Sequence, residues 1–515
     1  MSIINQVKLN IGESISNLPV KISQKEHIKV KNWRIIKESI DARDKSAIKM
    51  VYSVEYNYDE SAAREEYEIP CITGKMPRRP VVVGFGPCGI FCGLVLARAG
   101  LKPIIIERGW DVDKRAEQVR HFWKTGELDI NSNVQFGEGG AGTFSDGKLT
   151  TGIKDERLGF VLSELAKHGG PDDILFKAKP HIGTDVLREV VKNIRLEIIE
   201  SGGEILFGKY VSGMKLSADN RIEAIQISDT ESSEERFIDA EDVVFAIGHS
   251  SRDTFRWLEK QKIQMSQKPF SIGVRVEHPQ AVIDRAQYGD IHENLGLPAA
   301  DYKLNVRVSD GRGVYTFCMC PGGEVITASS QTGGVVTNGM SNHDRNSGFA
   351  NSAVLCDVRT EDFGSDHVLA GVEFQEKYER LAFVNGRKQA GMLPEEIGKY
   401  VKPECLWREF RDDVSNTVTE SLPEFCTKAI KEAMPLFGKK LKGFDDDETK
   451  MYAVEARSSS PVRFRRDESF CGYLTDGKRI EGFYPAGEGA GYAGGIVSAA
   501  VDGIRIAEAI IRKYI

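Results

Sequence analysis

The segment VVVGFGPCGIFCG, residues 81–93, places Gly84, Gly86, Gly89 and Gly93 directly after an unbroken apolar run. That spacing suits a diphosphate cradle. Gly84 permits a tight turn after a strand, Gly86 lets the main chain approach a pyrophosphate, and Gly89 and Gly93 bare a helix face for close packing. The free N–H groups and positive dipole end of that helix would face the phosphates. Glu107 ends the next apolar run, KPIIIERG, where a carboxylate accepts hydrogen bonds from ribose hydroxyls and disfavours a 2′-phosphate. A lone glycine triplet is weak evidence, but here strand, glycines, helix, strand and acid follow in order.

Two further glycine clusters decide between NAD and FAD. SNVQFGEGGAGTFSDGKLTTG, residues 132–152, contains Gly139, Gly140, Ala141 and Gly142 without a surrounding strand–helix–strand unit. It reads as a side-chain-poor segment able to lie against a pyrophosphate and an isoalloxazine. Near the C-terminus, YPAGEGAGYAGGIVSAA sets Gly487 and Glu488 at a strand end, then Gly494, Gly495 and Ile496 at the opening of a helix. A second helix N-terminus there would face the pyrimidine end of a flavin and stabilise negative charge on the reduced ring. Three such contacts fit FAD far better than NAD.

If a flavin supplies the redox chemistry, side chains need only position groups and manage protons. Lys148, following Ser145 and Asp146, is a candidate neighbour of the flavin N5; otherwise it is a phosphate neighbour or a solvated lysine. His249 in GHSSRDTF follows a strand ending at Gly248 and is a candidate proton shuttle, with Asp253 read as a helix cap and Arg252 as a local partner. Arg275 and His278, in RVEHP, are candidates for holding an acidic substrate. Cys318 and Cys320 in FCMCPGG sit two apart on an expected strand with both thiols on one face, so buried free thiols are favoured over a bridge. Cys88 and Cys92 are expected to fill the sheet-facing side of the first helix. Arg457, Arg463, Arg465 and Arg466 form a basic cluster suited to a diphosphate, an anionic substrate, RNA, or plain solvent. No paired CxxC units, HxxEH or HExxH occur, so no metal site is expected.

The elements that must position these groups follow from the pattern. At 515 residues the chain exceeds one ordinary core, and its 41% apolar and 28% charged residues match a soluble globular protein. No run approaches the roughly 18 apolar residues of a membrane span, and the start shows neither a secretory nor a mitochondrial presequence. A cytoplasmic chain with reduced thiols is the expectation. The net charge of −7 offers no global attraction for nucleic acid.

Residues 1–75 read as a small α+β domain, with a short helix near 13–18 and two half-buried strands, and 59–80 as a linker. Residues 76–255 form the first part of a Rossmann-like α/β domain, with a helix from Thr184 to Gly202, a β-meander after it and a strand at DVVFAIG. Residues 256–455 read as an inserted α+β substrate domain with helices at 371–382 and 421–436, and 456–515 return to the first fold.

These motifs resemble the two-dinucleotide-binding-domain flavoproteins, with Glu488 standing where many members carry Asp. More narrowly, ERGWDVDKRAEQV, NVQFGEGGAGTFSDGKL, AIGHSSRDTF, KPFSIGVRVEHPQAVIDRAQYG, YTFCMCPGG and YPAGEGAGYAGGIVSAAVDGI resemble a largely uncharacterised family of FAD-dependent dehydrogenases (NAD(FAD)-utilising dehydrogenases). The resemblance implies an FAD-dependent oxidoreductase but no particular substrate. The expected cofactor residues are therefore Gly84, Gly86, Pro87, Gly89, Glu107, Arg108, Arg115, Gly139, Gly140, Ala141, Gly142, Ser145, Gly248, Gly487, Glu488, Gly494, Gly495 and Ile496. The expected partners are a small-molecule substrate and a transiently visiting NAD(P)H. The rival reading is an FAD-containing factor that binds or modifies RNA, with the N-terminal module and the arginine cluster as its surface.

Overall fold

The computed structural model describes residues 2–59, 67–72, 78–290, 296–392, 399–412 and 416–515. Its centre is a five-stranded parallel sheet in the order Phe483–Pro485, Val243–Phe245, Val81–Val83, Ile104–Ile106, Glu204–Leu206. The strands are only three residues long and almost wholly apolar, because both faces of the sheet are covered. Alternation sorts them. Val82, Ile105, Val244 and Tyr484 face helices Pro87–Arg98, Thr184–Glu200 and Ile496–Ile511. Val81, Val83, Ile106, Val243 and Phe245 face the meander and helix Arg252–Lys260.

The meander comprises Lys209–Leu216, Ile222–Asp229 and Glu235–Asp239, as expected. The helix from Thr184 takes its N-cap at Gly183. Helix Arg252–Lys260 buries Phe255 and Leu258 in the parallel-sheet core, and strand Met265–Gln267 pairs with Val462–Phe464. The first part of this unit therefore runs past residue 255, to about Gln267.

A six-stranded antiparallel sheet follows, in the order Asn305–Arg307, Gly313–Cys320, Phe349–Val358, Phe270–Pro279, Lys450–Glu455, Glu404–Leu406. Helix Glu424–Lys440 packs its Cys426, Ile430, Met434 and Phe437 into this core. Helix Ala370–Gln389 runs well past the expected 371–382.

The N-terminal module is a three-stranded sheet, Ser2–Asn10, Lys49–Tyr56, Trp33–Asp41, with helix Leu18–Glu26. Its first strand is absent from the sequence reading, because a register shift between Ile4 and Val7 breaks the polar–apolar alternation. The helix expected at 13–18 begins later: Ile15–Asn17 is a 3-10 turn, and Pro19 occupies the first turn of the α-helix, where it leaves no hydrogen bond unmade. The module's edge strand docks through Glu38, whose N–H donates to Phe176 O at 2.8 Å while its carbonyl accepts from Ala178 N at 2.8 Å. Of the expected linker, 60–66 and 73–77 lie outside the described residues. No helix among the described residues is long and apolar enough to cross a membrane.

Candidate functional site

The strand-to-helix turn at Val83 is built as the glycine spacing requires. Gly84 has φ +99, and Gly86, with extended backbone, is the N-cap of a helix whose first residue is Pro87. A Cβ on Gly89 would lie 1.9 Å from Gly84 O, so the helix can pack this close only without a side chain there. A cavity of about 390 Å³ opens in front of this turn. Gly140, Ala141 and Gly142 line it from a second segment, and Gly494, Gly495 and Ile496 from a third, with Gly495 the N-cap of helix Ile496–Ile511. Two helix N-termini thus meet one cavity. Phe317, Cys318, Thr337, Glu455 and Ser458 close it from the side of the antiparallel sheet.

Glu107, Arg108, Ser145, Lys148, Gly248, His249 and Glu488 also line the cavity. The Glu107 carboxylate accepts from Phe85 N at 2.8 Å and from Gly109 N and Gly137 N at 2.9 Å each. It therefore ties the first glycine turn to the second. Ser145 Oγ accepts from Gly147 N at 3.1 Å and donates to Gly142 O at 2.7 Å, pinning the loop. Arg108 lies over the rings of Phe136 and Tyr210 and pairs with Asp253 at 2.6 Å. His249 Nδ1 lies 3.2 Å from Glu488 Oε1, and its Nε2 is buried without a partner among the described residues. Lys148 pairs with Asp146, which also binds Ser341 and Arg345. Burial works against both charges, yet their mutual attraction and Arg345 hold Asp146 below the usual carboxylate range, while neighbouring thiols and Asp146 raise Lys148.

Six expected residues stand elsewhere. Gly89 supports the turn from behind. Gly139 N donates to Phe85 O at 2.8 Å, and Gly487 N to Asp502 at 2.8 Å, so both brace the cavity without lining it. Arg115, expected at the cofactor, is fully buried and gives its guanidinium to the carbonyls of Asn133, Val134, Gly137, Glu138 and Gly140. It shapes the second glycine segment instead. Arg275 and His278, expected to hold an acidic substrate, do not line the cavity. Arg275 is enclosed by Glu455, Asn351 and the Cys318 carbonyl, and His278 is buried against Phe444 O at 2.8 Å.

The expected local roles of Arg252 and Asp253 also change. Ser251 is the N-cap of the helix. Arg252 reaches across to Glu379 at 2.6 Å, where Arg457 binds the same carboxylate at 2.8 Å; all three are at most 4% exposed. Arg466 is spent on Asp502 and Pro485 O. The arginine cluster is therefore not one basic patch: Arg457 and Arg466 are paired, whereas Arg463 and Arg465 are exposed over the rings of Tyr492 and Tyr473. Sequence reasoning missed Glu379 because only tertiary structure brings it to Arg252 and Arg457. A larger groove of about 770 Å³ near Lys377 and Phe425 contains none of the expected site residues.

A family model described as the C-terminal domain of an FAD-dependent protein matches residues 269–458, and a domain of unknown function matches 1–57. An uncharacterised protein of Clostridium beijerinckii is 44% identical over 542 residues, covering 99% of this chain and 98% of that one. The chain belongs to this FAD-dependent family. Similar solved structures include the flavin-dependent brominase Bmp2, 13% identical over 85% of this chain and 79% of that one, with a TM-score of 0.38. The geranylgeranyl bacteriochlorophyll reductase-like protein of Thermoplasma acidophilum is 14% identical over 85% and 82%, with a TM-score of 0.36. The match to THI4 of Thermovibrio ammonificans, 18% identical, spans 37% of this chain and 66% of that one, at 0.26. Such loose likenesses do not bear on the reaction.

The cavity of this FAD-dependent protein fits its cofactor on its own chemistry. Its donors are main-chain amides at two helix N-termini, Gly494 and Gly495 have open space where a Cβ would stand, and His249 Nε2 awaits a partner.

Proposed function

We propose that this FAD-dependent oxidoreductase exchanges a hydride between the flavin N5 and a small organic substrate in the cavity shared by the parallel and antiparallel sheets. One observation carries the reading: the glycine segments, Phe317, Cys318 and Glu455 of the antiparallel sheet, and Thr337 and Ser458 beside it line the same 390 Å³ space. Bound FAD would supply the electron chemistry. The amides of the Gly86 turn would hold its diphosphate, and the N-terminus of helix Ile496–Ile511 would favour negative charge on the ring.

The chain's own work is to orient and to move protons. Glu488 orients His249, leaving Nε2 to exchange a proton with whatever sits in the cavity. Lys148, held charged by Asp146, supplies a fixed positive charge beside the same space. NAD(P)H, if used, would visit the open side of the cavity transiently.

The test is anaerobic. The purified holoenzyme is mixed with NADH, NADPH, amines and hydroxy acids in turn, and flavin absorbance is followed. Bleaching by one class identifies the donor; a flavin that none of them reduces counts against hydride exchange with a small organic donor.

A further inference from the structure

Cys318 and Cys320 are free thiols on the strand Gly313–Cys320, and Cys318 lines the cofactor cavity. A regular strand would separate their Cα atoms too widely to bridge easily, but this strand is not regular. Phe317 pairs with Ala353 and Cys320 with Asn351, so Cys318 and Met319 together oppose one partner residue, and Cys318 adopts φ +42. A bulge of this kind contracts the strand and re-aims its side chains, toward the short Cα separation, about 5.5–6 Å, that a disulfide prefers. The Cys320 thiol already turns back, with Sγ 3.3 Å from the Cys318 carbonyl.

Charge is arranged around the pair. Arg275 Nη2 donates to Cys318 O at 2.6 Å and lies 3.5 Å from Cys320 Sγ. Lys148, Asp146 and Glu455 are the other charged groups facing the thiols. Hydrogen bonding from Cys320, then Lys148 and Arg275, holds the Cys318 thiol well below the ordinary thiol range against burial and Asp146. Cys320 is pushed up by that same hydrogen bond and by burial. A cavity-lining thiol held low beside a buried thiol held high matches the division of labour between an attacking and a resolving cysteine.

We propose that Cys318 and Cys320 form a dithiol–disulfide couple on the cavity wall that exchanges one electron pair with the flavin; this rests on the FAD reading of the cavity. Closing the couple joins Cys318 Sγ to Cys320 Sγ. Cys318 enters as thiolate, so the step releases two electrons and the single thiol proton of Cys320. Together these make one hydride equivalent, which passes to the oxidised flavin. Run backwards, the same step returns a thiolate and a thiol.

Anaerobic titration of the air-oxidised holoenzyme with dithionite counts electron pairs per flavin. The wild type is expected to take up two pairs, and C318S and C320S one. Iodoacetamide blocking followed by peptide mass analysis needs no variant: the peptide carrying both cysteines should escape alkylation in the oxidised wild type and take two alkyl groups after reduction. One electron pair per flavin in the wild type, with both cysteines alkylated before reduction, overturns the couple while leaving the flavin reading intact. A failure of the flavin reading looks different, because the chain then retains no FAD whatever its thiols do, and the couple as proposed falls with it.

Discussion

Gly89→Ala tests the cofactor cradle most directly. Alanine is a better helix former than glycine by about 1 kcal/mol, and Gly89 lies inside helix Pro87–Arg98 with no left-handed φ, so local preference alone favours the substitution. Tertiary packing opposes it. The new Cβ would stand 1.9 Å from Gly84 O, 3.0 Å from Gly84 C and 3.3 Å from Val82 Cγ1. Since a carbon seldom approaches a carbonyl oxygen more closely than about 3.3 Å, the first helical turn must retreat by roughly 1.4 Å. The obstructing atom belongs to backbone fixed by the parallel sheet and cannot rotate aside. A misplacement of about 1 Å in a positioned site costs on the order of 100-fold, so the dissociation constant for FAD should rise by about that factor, or ~2.8 kcal/mol.

The assay is titration of apoprotein with FAD, followed by quenching of flavin fluorescence. Gly159→Ala, also in a helix but with nothing within 4 Å of the new Cβ, is the control and should bind as the wild type does. A G89A protein with unchanged circular dichroism and unchanged FAD affinity would refute the assignment of the Gly86 turn to the diphosphate.

Other expectations concern stability and proton transfer. Glu379→Ala strands the buried guanidiniums of Arg252 and Arg457 and should cost about 3–5 kcal/mol. That is a fall of roughly 6–20 °C in melting temperature for a unit of 150–250 residues, and calorimetry showing no fall would remove the triad from the stability account. Despite burial, Arg252 and Arg457 hold Glu379 at about 2, below its ordinary 4.5. Its contribution is thus complete above about pH 4.5 and lost as pH falls through 2, so the gap between wild type and E379Q should be constant at neutral pH and shrink only in acid.

Burial depresses His278 to about 4 from 6.5, so it folds neutral and stability should drain as pH falls from 6.5 toward 4. Urea midpoints of H278N that show the same acid slope as the wild type would contradict this. His249→Ala should slow substrate-driven flavin bleaching by about 10²–10⁴-fold if Nε2 carries a proton in the reaction, and stopped-flow rates within a factor of two would exclude that role.

Backbone geometry was the part most legible in the sequence. The glycine spacing at 84–89, the apolar triplets VVV, III and VVF, and the acid at 107 encode local conformation and burial, and these depend mainly on neighbouring residues. The helices at 370–389 and 424–440 were visible for the same reason, though their ends were not. Arg115 is expected at the cofactor because it stands in ERGWDVDKRAEQV, one of the motifs that carry the family resemblance. Its true partners are five carbonyls of a loop whose path no local pattern specifies.

Amino-acid order alone determined where the backbone is bared at the strand-to-helix turn, since only glycine tolerates the left-handed φ of Gly84 and the close packing at Gly89. Tertiary structure decided which side chains share the cavity and which pair elsewhere: His249 meets Glu488, Arg252 meets Glu379, and Cys318 at its bulge lines the cavity while Arg275 and His278 are buried within the sheet. The reason is one of range. Turns and helix starts are set within a few residues, whereas an ion pair or a cavity wall depends on where distant strands are laid side by side.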